Sequence, residues 1–462
     1  MTAALRDGGS FRDPSGHVYD VNGEILRTVT RKAAADYDFV RSTGLLDLLG
    51  ERGLVVSSEE IVTDAVSADG LHKVLRHPKL AFVSYPYEWS FPLLKAAALL
   101  HLDIQIEALG RDVVLSDASA YNVQFEGPRP IFIDVLSFRR YTDGEFWSGH
   151  RQFCEQFLNP LLLRSVFGVP HNAWFRGNLE GIPTPDFARL MPWWSRLSFT
   201  LQAHVLLPAR MQAKKIEHEG DLAAVRQRRL PKSSYRNLLV QLRQKVQGLE
   251  PRDTGRTVWG DYDHTHTYDS AEEEAKRRFV AAFCEAVKPK LLWDIGCNTG
   301  EYSEVALSAG AGRVVGFDFD QGALERAYAR ASHKTLPLLP LFQDAANQSP
   351  DQGWSAGERK GLGKRAHADG LLALAFEHHL AIGRNVPLDR VVDWLVNHAP
   401  CGVIEFVQKD DPTVRRMLAL REDIFDQYDE ATFENALAAR ARIIRAEVVS
   451  SARRKLFWFD RQ

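Results

Sequence analysis

Two carboxylates and two glycines in the second half of the chain have the types and spacing to hold a ligand. Asp294, Gly296 and Gly300 form D-x-G-x-x-x-G in LLWDIGCNTGEYSEVAL, where an apolar strand runs into a helical pattern. Glycine lacks a Cβ, so the backbone there can turn sharply and approach a ligand closely. Asp294, at the strand end, can accept hydrogen bonds from the ammonium group of an amino-acid tail. Asp318 follows in RVVGFDFD, 24 positions later (318 minus 294). An acid about 20 residues on is placed to take the ribose hydroxyls of an adenosine ligand. Asp320 competes for that role, and Asp318 is preferred because GFD sits at the expected strand end. A dinucleotide would want G-x-G-x-x-G, since pyrophosphate needs a glycine-lined helix N-terminus. The leading acid suits a phosphate-free ligand with a cationic tail.

Strands and helices must alternate to hold these residues. Apolar, β-rich runs fall at 291–295, 313–320, 338–344, 370–376 and 402–407, with helical spacing between them at 301–308, 322–331 and 388–398. That alternation predicts a doubly wound parallel sheet. RIIRAEVVSS and KLFWFDR close the chain, so near each other that they must pair antiparallel.

This arrangement, from about Ala271 to the C-terminus, resembles the class I methyltransferases that use S-adenosylmethionine (SAM). The longer strings DIGCNTGEYS, ADGLLALAFEHHLAI, NVPL and IEFVQKDDP resemble a bacterial nodulation-type methyltransferase family. The resemblance implies SAM as cofactor, with Asp344 and Ala345 of FQDAANQSP at the adenine amino group and ring edge. Methyl transfer from a sulfonium is an in-line displacement. The protein must hold acceptor and methyl in attack geometry and take a proton where the acceptor carries one. The fourth run ends in Phe376-Glu377-His378-His379, at the edge where the acceptor would lie. A histidine titrating near neutrality suits a general base. The competing reading makes one of the two histidines structural and the other solvent-facing. Glu405, at the next strand end, either orients acceptor or base or is a hydrogen-bonded structural carboxylate. The Asn/Asp-Pro-Pro-aromatic signature of many amino-group methyltransferases is absent here, which favours oxygen as the acceptor atom. Upstream, Trp259, Tyr262, His266 and Tyr268 are candidates for a lid over the cofactor, or for packing at the domain edge.

At 462 residues the chain exceeds one ordinary core, so two folded units are expected. The expected divisions are an N-terminal α+β accessory domain (1–213), a polar helical linker (214–258) and the methyltransferase domain (259–462). In the first of these, LSDASAYNVQFEGPRPIFIDVLSF carries Asp117, Asn122 and Asp134. The stretch resembles the catalytic loop and metal-binding aspartate of protein-kinase-like and aminoglycoside-phosphotransferase-like folds. Leu115 and Ser116 replace the usual residues before the first aspartate, and Val135 and Leu136 replace those after the last. No G-x-G-x-x-G loop or strand lysine is recognisable. The bland alternative is an Asp/Asn turn in a domain that recognises the acceptor.

Bulk composition narrows the partners. Lys plus Arg number 58 against 60 for Asp plus Glu, leaving no positive excess for general nucleic-acid binding. No apolar run of about 18 to 20 residues suggests a membrane span, and the start lacks a secretory core, so the expected setting is cytoplasmic. Cys154, Cys284, Cys297 and Cys401 form no C-x-x-C pair, so no metal site is read from their spacing. The leading expectation is O-methylation of a small molecule, glycan or lipid-linked precursor. Alternatives are a bifunctional protein with Mg-ATP phosphotransferase activity in its first half, and a non-catalytic SAM-binding regulator. Oligomeric state is not legible.

Overall fold

The first half of the chain begins as an antiparallel sheet. Leu5–Arg6 (β1), Val18–Val21 (β2), Glu24–Thr30 (β3), Glu59–Ile61 (β4) and Leu71–His77 (β5) pair in the order β1-β2-β3-β5-β4. Asn22 and Gly23 join β2 to β3 at φ of 54° and 88°, the left-handed pair that a two-residue hairpin requires. The helix Phe91–Leu109 is apolar nearly all round and buries Leu93, Leu94, Ala97, Leu102, Ile104 and Ala108, as expected of a helix enclosed by its neighbours. After it, Val113–Leu115 (β6) pairs with Phe138–Arg140 (β9). Val123–Glu126 (β7) and Arg129–Phe132 (β8) form a two-stranded sheet between them.

This computed structural model describes residues 4–193, 198, 201–213, 229–252, 270–365, 367–419 and 421–461. Trp259, Tyr262, His266 and Tyr268 lie outside the described residues. The chain divides into two compact units, Met1–Phe125 with Arg129–Asp253 and Asp351–Arg359, and Glu126–Pro128 with Thr254–Pro350 and Lys360–Gln462. Part of the segment expected to be a linker is the helix Lys232–Gln247, which buries Tyr235, Leu239, Leu242 and Val246. It packs on the helix Phe91–Leu109, where Gln105 donates to the Tyr235 hydroxyl at 2.9 Å and Arg243 pairs with Asp103. Its apolar stripe therefore belongs to the first unit. So does Asp351–Arg359, whose Glu358 pairs with Arg12 at 2.6 Å and whose Arg359 lies 4.2 Å over the Tyr121 ring.

In the second unit Leu291–Ile295 (β10), Arg313–Asp318 (β11), Leu338–Phe342 (β12), Gly370–Ala373 (β13), Cys401–Phe406 (β14), Arg442–Val448 (β15) and Lys455–Asp460 (β16) form one sheet. Its order is β12-β11-β10-β13-β14-β16-β15. The first five strands are parallel, and β16 runs antiparallel to both β14 and β15. β10 to β14 are nearly continuous apolar runs because helices cover parallel strands on both faces. Phe283, Leu292, Leu338, Leu372, Val403 and Leu456 meet in the core with at most 0% exposure each. Burying a side chain of this kind contributes about 1.5–3 kcal/mol.

The expected strands and helices are present, and the differences lie at their ends. β11 stops at Asp318 because Asp320 caps the following helix, its Oδ1 accepting from the Ala323 amide at 3.0 Å. β13 stops at Ala373, so Glu377, His378 and His379 begin a short helix, Glu377–Ala381, beyond the strand. No helix among the described residues is long and apolar enough to cross a membrane.

Candidate active site

The turns that follow the parallel strands enclose a cavity of about 380 Å³ in the second unit. Asp294, Gly296, Asp318, Asp344, Ala345 and His379 all line it. Gly300, His378 and Glu405 do not.

Asp294 is 2% exposed and accepts a hydrogen bond from the Ser303 hydroxyl at 2.6 Å. Burial raises its carboxyl pKa to about 6, with the Ser303 bond acting the other way. A cationic ligand would favour the ionised form, so binding should release or exclude this proton. SAM affinity is expected to be full above about pH 6 and to weaken as pH falls through it. Titrations at several pH values in wild type and Asp294→Asn test this, the variant losing the pH dependence.

Gly296 has φ of +79°, and a Cβ there would stand 3.0 Å from the Phe376 ring. Glycine is thus required by both the backbone conformation and the aromatic wall. Gly300, at φ of +77°, would put a Cβ 2.8 Å from Leu338. Its role is close packing of a helix start on the sheet, which is why it faces away from the cavity. Asp318 is held at both oxygens, Oδ2 accepting from the Asn298 amide and Oδ1 from the Asp320 amide, each at 2.8 Å. Two further lone-pair positions remain for a ligand. Burial raises its carboxyl pKa, and the two backbone bonds oppose the shift. Asp320 is occupied as a helix cap, which separates it from its neighbour's role. Asp344 accepts from the Ala346 amide at 3.0 Å and lies 3.5 Å from Arg384, also on the cavity wall.

Across the wall, acids outnumber bases. Glu273, Asp294, Glu301, Asp318, Asp320 and Asp344 stand against Lys276 and Arg384, while Phe317, Phe319, Phe376 and Trp394 supply aromatic surface. That balance fits a cationic, partly aromatic ligand.

The two histidines differ. His378 is fully buried, with both its amide and Nδ1 against Glu377 Oε2 at 2.7 and 3.1 Å. Glu377 in turn accepts from the Val407 amide at 2.9 Å and the Tyr428 hydroxyl at 2.7 Å. His379 packs against it, ring centroids 4.1 Å apart, and faces the cavity. Burial, then His378 and Arg454, hold its pKa well below the usual imidazole value. His379 is accordingly neutral at physiological pH, and, contrary to the near-neutral imidazole expected from the sequence, its burial makes it a weaker proton acceptor.

Glu405 is fully buried, 2.6 Å from Lys276 Nζ and 3.7 Å from Arg454. Arg454 also binds Asp411 at 2.7 Å. Sequence reasoning missed Lys276, which lies on the helix Ser270–Val287 and lines the cavity while neutralising Glu405. Nothing in the spacing joins these two residues; the parallel sheet does.

In the first unit Asp117, Asn122 and Asp134 come together. Asn122 donates to Asp117 at 3.0 Å. Burial and then the Asp134 charge raise the Asp117 carboxyl to about 7. Arg27, on β3, pairs with Asp134 at 2.8 Å and with Asp13 at 2.7 Å. A strand cation thus faces the second aspartate, although it is an arginine and no lysine pattern announced it.

The sheet order and the D-x-G-x-x-x-G turn at the end of β10 define a class I SAM-dependent methyltransferase fold, the class whose cofactor is S-adenosyl-L-methionine. The chain belongs to the family of nodulation protein NoeA of Rhizobium meliloti (strain 1021), to which it is 47% identical over 467 residues, covering 100% of this chain and 98% of that one. No family model matches the chain. Among solved structures it is similar to magnesium protoporphyrin IX methyltransferase (ChlM) from Synechocystis PCC 6803 with bound SAM, at 17% identity, 45% of this chain, 86% of that chain and a TM-score of 0.30. It is also similar to N-methyltransferase NodS from Bradyrhizobium japonicum WM9, at 14% identity, 42% and 97% coverage and a TM-score of 0.30. A third is the bifunctional kinase-methyltransferase WbdD, at 16% identity, 48% and 46% coverage, with a TM-score of 0.30. The class assignment rests on the sheet and its cleft.

Proposed function

We propose that the second unit binds SAM in this cavity and transfers its methyl group to an oxygen of a small molecule, glycan or lipid-linked precursor. The single observation that carries this reading is the convergence of Asp294 and Asp318 on one acid-rich, aromatic cavity at the carboxyl ends of β10 and β11. SAM supplies an electrophilic methyl on a sulfonium. The chain supplies position and proton acceptance. Asp318 takes the ribose hydroxyls with its remaining lone pairs, and Asp294 takes the ammonium group. Asp344 and Ala345 meet the adenine edge. His379 accepts the acceptor's proton as a neutral imidazole. His378 and Glu405 act through structure, the former fixed by Glu377 and the latter by Lys276 and Arg454. Oxygen is favoured over nitrogen because Phe376-Glu377-His378-His379 replaces the Asn/Asp-Pro-Pro-aromatic run of many amino-group methyltransferases.

The first unit is assigned acceptor recognition. A second reading, Mg-ATP phosphotransfer there, draws support from the meeting of Asp117, Asn122 and Asp134. The Arg27 pairing opposes it, since Asp134 already faces a cation. ATP turnover that vanishes in Asp134→Ala would establish that reading. Loss of methylation in Asp117→Ala with SAM binding intact would support acceptor recognition.

Calorimetric titration of SAM tests the cofactor site. Asp318→Ala is expected to bind at least about tenfold more weakly, in keeping with about 1.5–3 kcal/mol for hydrogen bonds to a charged group. Wild-type affinity in the folded variant would remove Asp318 from the site.

A further inference from the structure

We propose that His150, Cys154 and His204, in the first unit, form a binding site for one cation of zinc's class. Each residue offers one donor atom, and the three atoms lie within 4.8 Å of one another. His150 Nε2 is 2.8 Å from His204 Nδ1 and 3.7 Å from Cys154 Sγ. Cys154 is 1% exposed and His204 4%. Their surroundings are apolar and aromatic, with Trp147 edge-on to His150 at 5.7 Å and Phe153 and Phe157 fully buried alongside.

The backbone bends to bring these side chains together. His150 and Cys154 are four residues apart at the start of one helical run, so they share a face. Cys154 opens a π-helical turn, Cys154–Leu158, and His204 sits inside another, Gln202–Leu206. Such wide turns weaken the helix and recur at functional sites. Here two of them converge on one cluster of nitrogen and sulfur donors.

The distances suit the ion. With zinc bonds of about 2.0–2.1 Å to nitrogen and about 2.3 Å to sulfur, tetrahedral donors stand about 3.3–3.6 Å apart. The Cys154 Sγ–His150 Nε2 separation of 3.7 Å already agrees, the two nitrogens need to part by about 0.5 Å, and Cys154 Sγ and His204 Nδ1, within 4.8 Å of each other, must stand about 3.6 Å apart when the ion is bound. On binding, the thiol gives its proton to solvent and becomes a thiolate ligand. The imidazole that donates the present histidine–histidine bond moves its proton to its other ring nitrogen. Both rings stay neutral, and three protein ligands leave a fourth position for water or another donor. The ion would clip the segment around His150 to the segment around His204. Cysteine spacing gives no hint of this, because one cysteine and two histidines supply the set and His204 is distant in sequence.

Metal-free full-length protein should be titrated with Zn²⁺ against a chromophoric chelator, and separately with Co²⁺ as a spectroscopic probe. The expected result is one bound equivalent and a thiolate-to-cobalt charge-transfer band. Cys154→Ser should abolish the band, and Cys154→Ser and His204→Gln should each lower zinc affinity by at least the 10- to 100-fold, roughly, that losing an outer-shell partner costs. Cys401→Ser, in the second unit, should leave both unchanged. A wild type that binds no equivalent, or binds cobalt without a thiolate band, overturns the proposal whether or not the variants fold. So does a Cys154→Ser protein with the wild-type cobalt spectrum.

Discussion

His379→Ala is expected to slow methyl transfer by about 10² to 10⁴, the usual cost of removing a positioned base, at unchanged SAM affinity. His379 faces the cavity, whereas His378 is enclosed and tied to Glu377. His378→Ala should therefore lower thermal stability and move the rate mainly through folding. The pH profile adds a separate readout. Because burial lowers the His379 pKa, its neutral form persists through the physiological range. The rate contribution of this group should fall only as pH drops well below 6.5, and it should be flat above. If both variants turn over within a few-fold of wild type, no histidine base is needed and positioning alone accounts for the rate.

Glu405→Ala is expected to cost about 3–5 kcal/mol of stability, because it breaks a buried ion pair by removing one partner. Lys276 is 3% exposed, and its Nζ lies 2.6 Å from the carboxylate being removed. Replacing both partners by apolar residues, as in Lys276→Met with Glu405→Leu, should recover much of the loss, since the desolvation cost of the charges disappears with them. Chemical unfolding of the single and double variants measures this. A Glu405→Ala protein as stable as wild type but without turnover would move Glu405 into the chemistry.

The parallel strands of the second unit were legible because they are buried on both faces and therefore read as nearly unbroken apolar runs, from LLWDI to CGVIEF, whereas the exposed edge strand β15 was legible only from its closeness in sequence to β16. Their boundaries were less so: Asp320 looks like strand in RVVGFDFD but ends it by capping a helix. That Asp294, Asp318 and Asp344 meet on one cavity was legible for a similar reason, since a parallel sheet places successive strand ends along one edge. Gly300 shows the limit. The motif makes it a ligand residue, while the contact that forbids a Cβ is Leu338, from a strand whose register the sequence does not state. The choice between His378 and His379 depends on a short helix beyond β13, and the Glu405–Lys276 pair depends on how the helix Ser270–Val287 crosses the sheet. Arg27 facing Asp134, and Asp351–Arg359 joining the first unit, are likewise long-range facts. Periodicity reports which face a residue takes and is silent on what stands opposite.

The most direct test of methyl transfer itself is incubation of the full-length protein with methyl-tritiated SAM and a metabolite extract, followed by separation of labelled products. The proposed function predicts an oxygen-methylated product and stoichiometric S-adenosylhomocysteine with wild type, both greatly reduced with Asp318→Ala and with His379→Ala. Tight SAM binding with no labelled product in any extract would contradict it, leaving a SAM-binding protein without transfer.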